Sequence, residues 1–90
     1  MDDITKKMVA NQNIHLAQEQ INNLVQLYSQ GYLKHALEET SKLLNQFPNS
    51  VTLFNLQGAS NAGLQNFDAA IESYEKAIKI KPNFAEAYNN

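Results

Sequence analysis

The sequence predicts an all-α fold: antiparallel helix pairs stacked as a short α-solenoid, about two pairs and the start of a third. Three observations carry this. Apolar residues recur at three- and four-residue spacings through four segments. Glycine- or proline-bearing turns separate those segments. The chain also matches itself when Ala36 is laid on Ala70, and a repeat of that length marks stacked helix pairs.

The opening stretch 1–13, MDDITKKMVANQN, is polar and reads as a flexible N-terminal tail. From Ile14 a helical period sets in, with Ile14, Ala17, Ile21, Leu24, Val25 and Tyr28 on one face. Ser29-Gln30-Gly31 ends it, Gly31 being free to take the positive φ of a helix C-terminus. A second helix is expected over 33–46, with Leu33, Ala36, Leu37, Thr40, Leu43 and Leu44 inward. Pro48 stops it, and Asn49 or Ser50 can cap the next.

A third helix is expected over 51–62, packing through Leu53, Phe54, Leu56 and Gly58, and a turn over Gly63-Leu64-Gln65-Asn66, with Asn66 as N-cap. The fourth covers 67–80 and is expected to bury Phe67, Ala70, Ile71, Tyr74, Ala77 and Ile78. Glu38–Lys42, Glu72–Lys76 and Glu75–Lys79 stand in the favourable Glu-before-Lys order, each pair contributing ~0.3–0.5 kcal/mol. Pro82 stops the fourth helix. Asn83 with Glu86 then resembles a capping box, so a fifth helix is expected to open near Phe84.

Composition narrows the function. Ninety residues at net charge −2, with 43% hydrophobic content, make one small domain. No apolar run approaches the ~20 residues of a membrane span, and the N-terminus lacks the layout of a secretory signal. No membrane association is therefore expected, and a cytoplasmic setting is the default. All seven cations are lysine. Without the bidentate guanidinium fork, nucleic acid is not an expected partner. The Lys76, Lys79, Lys81 cluster reads as a solvated helix face. There is no cysteine and no phosphate-binding glycine loop, and His15 and His35 lack a second ligand at metal spacing. No catalytic residue, metal or cofactor is expected.

Under the same offset Glu38 falls on Glu72, Lys42 on Lys76, Pro48-Asn49 on Pro82-Asn83, and Asn55 on Asn89. The unit over 51–84 resembles a tetratricopeptide repeat: Phe54, Gly58, Ala70, Tyr74 and Pro82 occupy the family's signature slots, while Gln57 and Asn61 stand where Leu and Tyr are usual. The resemblance implies a right-handed stack with a divergent first repeat over 14–50, a second over 51–84 and a truncated third over 85–90. The whole domain spans 14–90. In the first repeat, Thr40 takes the aromatic slot. Its first helix fits when one residue is dropped before the turn, which brings Ile21, Leu24, Val25 and Tyr28 into the packing slots and keeps Gln20 and Asn23 out.

In this family the first helix of each repeat lines a concave groove that binds ligands. The resemblance therefore implies a groove lined by Glu19, Asn22, Gln26 and Ser29, then Thr52, Asn55, Ala59 and Ala62, then Glu86 and Asn89. Asn22, Asn55 and Asn89 form a row whose amides both donate and accept, so they could clamp the backbone of an extended peptide. Asparagine and glutamine make up about a fifth of the chain, and solvated asparagines are the plain alternative. No groove slot holds a lysine, which argues against a carboxylate clamp.

The outward side of the fourth helix, around Ile71, Tyr74 and Ile78, would be partly covered by Tyr88 and its neighbours, and is a candidate self-association surface. The expected function is a non-enzymatic module that binds a protein or peptide through the concave face. Two alternatives stand beside it. One is the N-terminal repeat region of a larger enzyme, such as a glycosyl- or sulfotransferase. The other is a self-assembly element, with a homo-oligomer formed through the open C-terminal end.

Overall fold

The computed structural model describes residues 18–82. The expected tail, the start of the first helix at Ile14, the capping box at Asn83 and Glu86, and the fifth helix, with Tyr88 and Asn89, lie outside the described residues. Four helices, and no strands, are present among the described residues: α1 (Gln18–Ser29), α2 (Leu33–Gln46), α3 (Val51–Gly63) and α4 (Phe67–Ile80). Short turns fold α1 against α2 and α3 against α4, and α3 also packs on α2 and touches α1. The result is a short all-α solenoid of tetratricopeptide-like form.

The turns fix the register. After α1, Gly31 takes φ 88°. The Gly31 N–H donates to the Tyr28 carbonyl at 3.0 Å and the Tyr32 N–H to that of Leu27 at 2.9 Å. This pair of bonds is the Schellman termination, which satisfies carbonyls left open at a helix end. After α3 the same pair recurs: Gln65 N–H to Ala62 carbonyl at 3.0 Å, Asn66 N–H to Asn61 carbonyl at 2.8 Å. Here the left-handed residue is Gln65, with φ 67°, and not a glycine. Gly63, expected in the turn, is the last residue of α3. Its lack of a side chain admits Leu33, whose Cδ1 would stand 2.7 Å from a Cβ at that position.

Gly31 and Gln65 are related by the same offset that lays Ala36 on Ala70. So are Ser29 and Gly63, Leu33 and Phe67, and Gln46 and Ile80, which end or begin the paired helices. The two repeats superpose without any slip. The one-residue shift expected for the first helix is therefore corrected: Leu24 is equivalent to Gly58, and Leu27 to Asn61. Burial agrees. Leu24 is 3% exposed, whereas Val25 and Tyr28, expected to pack inward, are 44% and 38% exposed.

The physical cause of the difference is an exchange of volume between the helices. In the second repeat Gly58 leaves room for Tyr74, and a Cβ on Gly58 would lie 2.8 Å from Cε1 and Cζ of that ring. In the first repeat the large side chain is on the other helix, with Leu24 in the glycine's place and Thr40 in the tyrosine's, both buried. Thr40 satisfies its hydroxyl on the Ala36 carbonyl at 2.6 Å. Gln20 and Asn23, which the unshifted register would have buried, line an open cleft of ≈ 230 Å³ between α1 and α2 together with His35 and Glu39. Asn23 stays exposed and Gln20 half-buried.

The rest of the core follows the sequence pattern with a few corrections. Leu53, Ala70 and Ala77 are buried as expected, and Ser60, Asn61 and Ser73 are buried without having been anticipated. Ser73 explains Gln57: its hydroxyl lies 2.8 Å from Gln57 Oε1 and 3.1 Å from the Ala69 carbonyl, linking α3 to α4 where leucine is usual. Ser50 caps α3 by accepting the Leu53 N–H at 3.1 Å. Asn66 holds the N-cap position of α4 but makes no side-chain cap bond.

Phe67 and Ile71 are 59% and 54% exposed, against the expectation that both are buried. Their equivalents on α2, Leu33 and Leu37, are half-buried, and Leu33 packs at Gly63 of α3. The same positions on α4 have no described helix beyond them. The expected Glu-before-Lys pairs do not form among the described residues. Instead Lys42 meets Glu39 at 3.3 Å, and His35 lies 3.9 Å from the same carboxylate.

Candidate functional site

With the register fixed, the face shared by α1 and α3 can be read position by position. Ile21 is equivalent to Asn55, Val25 to Ala59 and Tyr28 to Ala62. These six residues make a surface that is apolar for most of its length, with Val25 and Tyr28 its most exposed large side chains and with no lysine. Asn55 is its polar point. That amide is half-buried, and its Oδ1 is shielded from solvent with no hydrogen-bond partner among the described residues. An unpaired buried carbonyl oxygen costs about 1–3 kcal/mol.

The register takes Asn22 out of the expected asparagine row, and Asn89 lies outside the described residues. Asn22 is equivalent to Leu56 and not to Asn55; it is exposed, and its Oδ1 accepts from Gln18 Nε2 at 3.0 Å. Glu19 and Gln26 are likewise displaced by one position from Thr52 and Ala59, and both are exposed. Thr52 and Asn55 remain on the α3 part of the face with Ala59 and Ala62. Glu86 and Asn89 lie outside the described residues. The apolar run Ile21, Val25, Tyr28 lines this face, with Val25 and Tyr28 exposed and Ile21 half-buried. Its sequence signal is three large apolar residues at helical spacing, the same pattern that a core stripe shows.

Tyr74 couples the layers. It reaches from α4 across Gly58 toward Tyr28 of α1. Burial, and then the neighbouring Tyr28 phenol, push its pKa above the ordinary tyrosine value. Of the remaining self-association candidates, Ile78 is half-buried and Ile71 exposed. No group of three or more His, Asp or Glu side chains could hold a metal among the described residues. No described helix is long and apolar enough to cross a membrane.

These features define a class, a repeat of antiparallel helix pairs whose first helices share one exposed face. Residues 62–90 match the family described as TPR repeat, and the chain carries tetratricopeptide repeats. Repeats of this type mediate protein–protein interaction. Among curated proteins the chain is 38% identical over 65 residues to the "Probable UDP-N-acetylglucosamine--peptide N-acetylglucosaminyltransferase SEC" of Arabidopsis thaliana, a match covering 72% of this chain and 7% of that protein. It is 36% identical over 67 residues to the "Peroxisomal targeting signal receptor" of Kluyveromyces lactis, covering 67% of this chain and 12% of that protein. The chain thus spans a small fraction of the length of the relatives it matches. No solved structure matches it significantly.

Proposed function

We propose that this chain is a non-enzymatic interaction module that binds an extended peptide along the α1–α3 face. The observation that carries the reading is the continuity of Ile21, Val25 and Tyr28 with Asn55, Ala59 and Ala62, a surface on which Val25 and Tyr28 are exposed and the other four residues half-buried. Apolar pockets for alternate side chains with one amide for the backbone suit a peptide rich in apolar residues. Asn55 gains most from a ligand N–H, since its oxygen has no partner among the described residues. The similarity to a targeting-signal receptor supports a peptide ligand.

The test is selection from a random peptide display library, followed by affinity measurement on single variants. Enriched peptides are expected to be apolar or aromatic, and Val25→Glu and Ala59→Glu are each expected to weaken them about tenfold or more. Unchanged affinity in both variants overturns the reading.

A second reading is favoured by the similarity to a glycosyltransferase far longer than this chain: the repeats serve as the substrate-recruiting part of a larger enzyme, with catalysis elsewhere. The full gene sequence decides it. A third, self-association through α4, is favoured by the exposure of Phe67 and Ile71. Sedimentation tests it, since a strict monomer at high concentration removes it.

A further inference from the structure

Where the α2–α3 turn meets the C-terminal turns of α4, Pro48, Asn49, Phe54, Lys76, Lys79 and Ile80 line an open pocket of ≈ 270 Å³. None of the α1–α3 face residues belongs to it. Its floor is apolar: the Phe54 ring is half-buried and Ile80 is 37% exposed. Its rim is cationic. The Lys76 ammonium stands 5.8 Å from the Phe54 ring centroid, within reach of the ring's negative face, and Lys79 lies one turn further along α4.

Neither lysine has a carboxylate partner among the described residues. Glu72 and Glu75 precede them by four positions, yet neither forms an ion pair with them, and α3 has no acidic residue in its first turn. The first repeat shows what is missing. There Lys42, equivalent to Lys76, is held by Glu39 at 3.3 Å. The position equivalent to Glu39 is Ser73, which is buried and turned to Gln57. The position equivalent to Lys79 is Asn45. At these two positions the second repeat lacks the carboxylate and adds a cation, while the carboxylate it gains, Glu75 in place of Ser41, forms no ion pair with either lysine.

We propose that this pocket is a second contact site, for an acidic peptide segment that sets a carboxylate between Lys76 and Lys79 and an adjacent apolar side chain against Phe54 and Ile80. The complementarity is of two kinds: opposite charge at the rim, where no described carboxylate meets the ammonium groups, and apolar area at the floor. The aromatic ring beneath Lys76 holds that ammonium in place, which reduces the ordering cost of binding.

The experiment is a titration of the full chain, followed by amide chemical shifts, with the probe acetyl-Leu-Asp-Leu-amide and its neutral analogue acetyl-Leu-Asn-Leu-amide. The expected result is a saturable shift of the amides around Asn49–Phe54 and Lys76–Ile80 with the Asp probe. Binding should be at least about fivefold weaker with the Asn probe, and should weaken further as salt is raised. The double variant Lys76→Gln, Lys79→Gln, folded by its melting curve, should lose the distinction between the probes. Equal binding of the two probes, shifts centred on Val25 and Ala59, or no saturable shift with the Asp probe overturns the proposal. The first and last of these leave the α1–α3 reading intact.

Discussion

The two helix pairs solve one packing problem in opposite ways. In α3–α4 the first helix gives way, and Gly58 opens a gap that Tyr74 fills and crosses toward Tyr28. In α1–α2 the first helix supplies the bulk, with Leu24 buried where the second pair has Gly58 and the smaller Thr40 buried where it has Tyr74. Interiors are packed at crystal-like density, so volume is conserved across the interface while its ownership is free to change. A repeat signature therefore records a sum of sizes, and its slots need not be filled from the same side.

The sharpest way to break this relation is Leu24→Gly, which empties the first pair's contact and adds a helix-interior glycine. It is expected to lower stability by about 3–5 kcal/mol in urea or thermal unfolding. Gly58→Ala in the second pair drives a methyl into the Tyr74 ring and is expected to cost about 1–3 kcal/mol. Thr40→Tyr alone should cost a similar amount. Combined with Leu24→Gly it rebuilds the second repeat's arrangement in the first, so the double variant should be destabilised by clearly less than the sum of the singles. Additive losses would show that the two positions do not share a contact.

The two turns allow a finer contrast, because they have one geometry and different residues. Gly31→Ala meets no atom within 4 Å, so its cost is pure backbone strain, about 1 kcal/mol. Gln65→Gly should stabilise by about the same amount, since a side-chain-bearing residue now holds that left-handed position. The smallest effect is alkaline. Tyr74 has its pKa raised in the folded state, so its contribution is complete below the ordinary value near 10 and is lost as pH rises through the folded value. Tyr74→Phe should remove its share of that loss.

The helix boundaries were legible because the chain advertises them. Pro48 and Pro82 stop α2 and α4, Gly31 ends α1, and the apolar spacing of α2 and α4 is regular enough to give their ends. The position of the face was not legible. Without its volume partner, Leu24 gave no reason to be aligned with Gly58, and Gln20 and Asn23 looked too polar for slots that turn out to border an open cleft. The error of one residue moved Asn22 into line with Asn55 and put Val25 and Tyr28 in the core. Phe67 and Ile71 were misplaced for a different reason, since a helix pattern marks an apolar stripe and cannot say whether a neighbour covers it.

The repeats superpose without a slip, Leu24 on Gly58, so that Leu24 is core and Val25 lies on the exposed face. The chain has no cysteine, so single variants Leu24→Cys and Val25→Cys can each be labelled with a maleimide under native conditions. The register predicts that the thiol at position 25 reacts at the rate of an exposed cysteine while that at position 24 is protected until the chain unfolds. Protection of both thiols until the chain unfolds would contradict it and restore the shifted alignment, in which Leu24 and Val25 are both packed.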